Sequence, residues 1–126
     1  MTKVMIVDDH DVVRRGLAVF LRAFEDFELV GDASNGSEAI VLCEKLKPDV
    51  VLMDIVMPHM DGVEATQQIT RLYPQIKVIA LTSLKDDLLV AQMLGAGAVS
   101  YILKDASIDE LAETLRSAAN GLTLAS

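Results

Sequence analysis

Acidic, hydroxyl and amine side chains stand at the ends of apolar runs in this chain, and together they outline one chemistry. Asp8 and Asp9 follow the run Lys3–Val7, and Asp54 follows Asp49–Met53. Thr82 follows Lys77–Leu81 and Lys104 follows Val99–Leu103. If these runs are parallel strands of one sheet, three carboxylates, a hydroxyl and an ammonium converge on one rim. That rim is where open α/β sheets bind ligands. Carboxylates brought together raise one another's pKa, and Lys104 offsets one charge only. A divalent cation completes the balance. Oxygen donors, with no cluster of Cys or His beside them, favour Mg2+ or Mn2+ over zinc and leave positions open for water and a phosphoryl oxygen. Acids at strand ends also serve as turn formers and helix caps. That reading suits Asp8 or Asp9 alone, but not all five positions together.

The elements that must position these residues follow from hydrophobic pattern. Four of the five runs are nearly continuous in Val, Ile, Leu and Met, as in strands buried on both faces. The remaining run, Glu28–Asp32, is more polar and predicts an edge strand. The intervening segments, roughly 15 to 22 residues each, are long enough for crossover helices. Asn35 with Glu38, Asp61 with Glu64, Ser83 with Asp86 and Ser107 with Glu110 have the three-residue spacing of N-cap pairs. Gly95, Gly97 and Gly121 stand where helices stop, and Pro48 and Pro74 close two others. The last helix is expected to bury Ile108, Leu111, Leu115 and Ala119 on one stripe. The pattern is (βα)5, an α/β doubly wound parallel sheet with helices on both faces. Residues 1–121 form one domain, and 122–126 read as the start of a linker.

Composition narrows the function. Hydrophobic residues make up 52% of the 126, so a sizeable core forms, and with aromatics at 4% and no Trp it is aliphatic. Nineteen acidic against eleven basic residues leave a net charge of −8. Nucleic acid and anionic membranes are therefore poor partners for this chain, while a cation or a basic protein surface suits it. The single cysteine, Cys43, excludes an intrachain disulfide and a multi-thiolate metal site. It shares a helical face with Ala39, Ile40 and Leu46, as a small buried hydrophobe does. The opening residues show no secretory signal and no run reaches membrane-spanning length, so a cytoplasmic location is expected.

Val7-Asp8-Asp9, Leu52-Met53-Asp54, Met57-Pro58, Asp61-Gly62, Leu81-Thr82-Ser83 and Tyr101-Ile102-Leu103-Lys104 resemble the receiver domain of bacterial response regulators, in order and spacing, over essentially the whole chain. Asp8-Asp9-His10, Leu81-Thr82-Ser83-Leu84 and Tyr101-Ile102-Leu103-Lys104-Asp105 are further similar to the NarL (LuxR-like) subfamily. The resemblance implies the flavodoxin-like strand order 2-1-3-4-5. It implies that Asp54 is the phospho-acceptor, forming an acyl phosphate with a group taken from a sensor histidine kinase. It implies that Asp9, Asp54 and the Val56 backbone carbonyl ligate Mg2+, with Asp8 acting mainly through water. Lys104 and Thr82 would contact phosphoryl oxygens, and Tyr101 would turn inward when Thr82 moves. The apolar side chains of Val56 and Leu84 stand at the mouth of that site. A DNA-binding helix-turn-helix domain is implied after residue 126. The domain would then be a switch that catalyses only its own phosphorylation and dephosphorylation, not an enzyme acting on metabolites.

Other readings fare less well. Gly95-Ala96-Gly97 lacks the third glycine of a dinucleotide fingerprint and precedes a strand, and no P-loop occurs. A flavin protein of the same fold needs a phosphate cradle where Asp8, Asp9 and Asp11 would repel one. A haloacid-dehalogenase-type phosphatase needs a carboxylate at the position of Val56. An Mg2+-dependent phosphatase of small esters and a stand-alone protein-binding receiver remain as rivals. His10 and His59 read as solvent-facing.

The first helix, roughly Asp11 to Phe24, carries a core stripe of Val13, Leu17, Phe20, Leu21 and Phe24. A second stripe of Val12, Gly16, Val19 and Ala23 is left over. Either the last helix covers it, or it is a surface for homodimers formed on phosphorylation. The fourth helix and last strand are the other candidate surface.

Overall fold

In the computed structural model, which describes residues 1–83 and 86–121, β1 (Thr2–Val7) is followed by α1 (Asp11–Arg22), β2 (Phe27–Ala33) and α2 (Gly36–Leu46). The chain continues through β3 (Val50–Asp54), α3 (Gly62–Leu72), β4 (Lys77–Thr82) and α4 (Asp87–Gly95), and closes with β5 (Ser100–Leu103) and α5 (Ile108–Ala119). All neighbouring strand pairs are parallel, in the order β2-β1-β3-β4-β5. The polar run is the edge strand β2, as expected. Leu84 and the linker 122–126 lie outside the described residues.

Alternation along the strands builds two cores. Val4, Ile6, Leu52, Ile79 and Leu81 face one way, against Leu17 and Leu21 of α1 and Leu111 and Leu115 of α5. Met5, Val7, Val51, Met53 and Ala80 face the other, against Ala39 and Cys43 of α2, Ala65 and Ile69 of α3 and Met93 of α4. Because β1 has β2 on one side and β3 on the other, the strand order reverses between β1 and β3. A crevice opens at their carboxyl ends.

Most helix starts obey their caps. Asn35, Asp61 and Ser107 accept the N–H groups of Glu38, Glu64 and Glu110 at 2.9, 2.9 and 3.1 Å. Ser83 is the exception. Asp86 caps α4 instead, taking the N–H groups of Leu88 and Leu89 at 3.0 and 3.2 Å. A carboxylate answers both the open N–H groups and the positive helix end better than a hydroxyl does, so the helix starts three residues later. Two stripe assignments also shift. Ala119 is exposed and Ala118 and Ala112 are buried beside Leu111 and Leu115, while Ile108 is half-buried. Leu111, Leu115 and Ala118 follow the i, i+4, i+7 face, and Ala119 is the last residue of α5. Phe20 is 40% exposed, although Leu17 and Leu21 are buried. The i, i+4 pair occupies the sheet-facing line and leaves Phe20 at its margin.

Candidate functional site

Four strand ends and one turn build the site. Asp8 leaves β1 with its N–H donating to the Ala33 carbonyl at 3.1 Å, which carries the chain past the sheet and turns the carboxylate into the crevice. Asp54 is the last residue of β3, held in register with Leu81 of β4. Thr82 ends β4, and its carbonyl accepts the Lys104 N–H at 2.8 Å just beyond β5. Gly62 closes the wall below Asp54. Its N–H reaches the Ile55 carbonyl at 2.8 Å, and a Cβ there would lie 2.1 Å from the Asp54 carbonyl oxygen, so no other residue lets α3 start this close to the strand end.

The charges meet at Lys104. Its Nζ lies 2.7 Å from Asp8 Oδ2 and 3.3 Å from Asp54 Oδ2. Asp8 and Asp54 are buried, and Asp9 is half-buried at the open side. Burial and, next, the Asp8 charge push Asp54 up to about 6, against the pull of Lys104. For Lys104, burial opposes the charged form, but the Asp8 and Asp54 carboxylates outweigh it and hold the ammonium above its ordinary value. One ammonium does not satisfy this pocket. Asp8 Oδ2, Asp9 Oδ1 and Asp54 Oδ2 are buried oxygens without an aligned hydrogen-bond donor, despite the Lys104 contacts. Hard, acceptor-only oxygens left in this state fit a divalent cation.

Residues 4–116 match the family described as the response regulator receiver domain. The chain belongs to the receiver domain family. It is 50% identical over 121 residues to the transcriptional regulatory protein LiaR of Bacillus subtilis, covering 96% of this chain and 57% of that protein. It is 48% identical over 119 residues to the response regulator protein VraR of Staphylococcus aureus, covering 94% and 57%. Among solved structures, a LuxR-family two-component response regulator from Aurantimonas superposes with a TM-score of 0.92 at 27% identity, over 98% of this chain and 88% of that one. The chain thus spans little more than half the length of these relatives. Its kinship with the NarL (LuxR-like) group agrees with the sequence motifs.

The receiver fold brings Asp8, Asp9, Asp54 and Lys104 together and sets Thr82 at the neighbouring strand end. Val56 lies in the loop after β3 with its side chain 67% exposed. Tyr101 is half-buried on β5 against the core that contains Met93. Cys43 is buried, and burial pushes its thiol up to about 12, as suits an inert core residue. On α1, Val12 and Val19 are 80% and 62% exposed, and Ala23 is exposed, so α5 does not cover the second stripe. Among the described residues no helix is long and apolar enough to cross a membrane.

Sequence reasoning passed over two residues of the site. His10 is solvent-facing as read, with its ring 64% exposed, yet the ring also lies against the acids, with Nδ1 3.1 Å from Asp8 Oδ1 and 3.3 Å from Asp9 Oδ1. Arg14 donates from Nη1 to the Asp8 carbonyl and from Nη2 to the Asp11 carboxylate, bracing the turn after β1. Their spacing from Asp8-Asp9 across the start of α1 was the available signal.

Proposed function

We propose that this domain is a phosphorylation-controlled switch of a two-component transcriptional regulator, and that Asp54 takes the phosphoryl group from a sensor histidine kinase. A carboxylate oxygen of Asp54 attacks phosphorus, the bond from phosphorus to the donor histidine nitrogen breaks, and its electron pair stays on that nitrogen. The placement of Asp54, buried yet within 3.3 Å of Lys104, is the observation that carries this reading. Asp8, Asp9, Asp54 and the Val56 carbonyl would hold Mg2+, or Mn2+ in its place. When bound, the ion neutralises charge that develops on the transferring oxygens. Lys104 moves from its carboxylate partners to one phosphoryl oxygen and Thr82 donates to another. Tyr101 then fills the space that Thr82 leaves. Only self-phosphorylation and its reversal are catalysed, so this is not an enzyme of metabolites.

The greater length of LiaR and VraR supports a DNA-binding effector domain beyond this chain, so DNA would be bound there and not here. The stripe of Val12, Gly16, Val19 and Ala23, exposed except at half-buried Gly16, is the surface on which the activated domain would pair with a second copy. The absence of a membrane-length helix among the described residues supports a cytoplasmic place.

The test is labelling with acetyl phosphate and Mg2+, followed by intact mass. One phosphoryl group is expected on the wild type and none on Asp54→Asn. The same adduct on Asp54→Asn overturns the assignment, and catalytic release of phosphate from small esters points to the phosphatase instead.

A further inference from the structure

We propose that His10 supplies a nitrogen ligand to the acidic pocket, so that the site binds a borderline transition-metal ion of the Co2+, Ni2+ or Zn2+ class more tightly than Mg2+. The inference rests on reading the pocket as a cation site.

The spacing suits neighbouring ligands, and the hydrogen bond that the ring makes to Asp8 Oδ1 would give way to an ion. His10 Nδ1 lies 3.1 Å from Asp8 Oδ1 and 3.3 Å from Asp9 Oδ1. Two donors bound at right angles, each about 2.1 Å from one ion, are about 3.0 Å apart. One donor atom each from Asp8, Asp9, His10 and Asp54 lies within 4.8 Å of all the others, close enough to surround one ion. Two further observations point the same way. Asp54 Oδ2 and Asp9 Oδ1 are buried without an aligned donor, and Asp54 itself is almost wholly enclosed. His10 occupies the N-cap seat of α1, yet its side chain caps nothing. That seat normally goes to a side chain that accepts the open N–H groups. Here the backbone N–H of His10 donates to Asp8 Oδ1 at 2.8 Å, which locks the turn and leaves the ring facing the carboxylates.

An imidazole changes which ions a carboxylate site prefers. Mg2+ demands hard oxygen donors and gains little from nitrogen, whereas imidazole suits Zn2+ and Ni2+. The rise in affinity from Mn2+ through Co2+ to Ni2+ is a property of N- and O-donor sites in general, and a nitrogen donor sharpens it. The ring is 64% exposed, so the nitrogen sits at the open mouth of the pocket and an entering ion meets it first.

The experiment is calorimetric titration of the unphosphorylated protein with Co2+ and separately with Mg2+, for wild type, His10→Ala and the control His59→Ala. Wild type should bind Co2+ more tightly than Mg2+. His10→Ala should weaken Co2+ by at least about tenfold, the loss that removal of even a supporting group produces. Its Mg2+ affinity should move by less than about threefold, and His59→Ala should match wild type. Pulsed EPR of wild type loaded with Mn2+ should resolve the nitrogen coupling of a directly bound imidazole, a readout that holds even if His10→Ala folds poorly. Mg2+ binding with no nitrogen coupling and no selective loss of Co2+ overturns the role of His10 and leaves the Mg2+ site standing. Equal loss of both ions shows that His10 positions Asp8 rather than ligating, and also overturns the proposal. Failure of every ion to bind wild type overturns both readings.

Discussion

Lys104 stands closer to Asp8 than to the proposed acceptor: its Nζ is 2.7 Å from Asp8 Oδ2 and 3.3 Å from Asp54 Oδ2. Asp8 is therefore the resting partner that keeps the ammonium beside Asp54. Lys104→Met should leave both carboxylates uncompensated. Breaking a fully buried pair costs about 3–5 kcal/mol, and this partly hydrated one should cost about 2 kcal/mol in chelator at pH 7. Thermal unfolding at pH 5 should show a smaller deficit, because Asp54 then holds a proton. An equal deficit at both pH values would show that the lost packing of the lysine stem, and not its charge, matters.

The raised pKa of Asp54 fixes a pH slope for the metal-free protein. In the fold this carboxyl titrates at about 6, against 3.8 for the ordinary group. The fold thus retains a proton that the unfolded chain gives up. Its contribution is complete below about pH 4 and is lost as pH rises through about 6. The loss is on the order of 2–3 kcal/mol. Denaturant titrations in chelator should record it, and Asp54→Asn should flatten the slope. A wild-type slope of the opposite sign over this window would contradict the burial of an ionisable Asp54.

Mg2+ should offset that loss at neutral pH. A ligand at a hundredfold excess over its Kd stabilises by about 2.7 kcal/mol, which differential scanning fluorimetry registers as a rise in Tm. Asp9→Ala should abolish the rise. It should also stabilise the metal-free protein slightly, by less than about 1 kcal/mol, because a half-exposed carboxylate no longer faces Asp8 and Asp54. A Tm increment that survives Asp9→Ala removes Asp9 from the ligand set.

Thr82 and Tyr101 divide binding from signalling. A phosphoryl group brings up to two negative charges to the end of β4, and only a hydroxyl there can follow them. Thr82→Ala should still be labelled on Asp54, yet activation by beryllofluoride should shift the amide resonances of α4 and β5 much less than in wild type. The underlying change is one of populations between two packings. Equal shifts in both proteins would sever Thr82 from the response.

The apolar stripe on α1 predicts self-association. Val12 and Val19 are 80% and 62% exposed on a helix whose other face is already packed. Light scattering should find dimers with beryllofluoride and monomers without it. Val19→Glu should stay folded and monomeric in both states. A folded Val19→Glu that dimerises as wild type does moves the interface to α4 and β5.

The strands, their edge and the rim of acids were legible along the chain because each depends on local pattern. Runs rich in Val, Ile, Leu and Met favour strands buried on both faces, as β1, β3 and β4 are. By contrast β5 is the second edge, with only Ile102 buried, and the residue that ends each run still falls at the carboxyl rim. Asp8, Asp54, Thr82 and Lys104 needed only that rule. Three of the four N-caps likewise depended on a spacing of three residues. What the tertiary structure alone decided involves contacts between distant segments or the choice among rotamers. The depth of Asp54, and hence its pKa near 6, comes from α3 closing at Gly62 and from Asp8 arriving across the sheet. The exposure of Phe20 was settled when Leu17 and Leu21 took the sheet-facing line. The contact of the His10 ring with the acids was decided by its rotamer, which places Nδ1 beside Asp8 Oδ1 and Asp9 Oδ1.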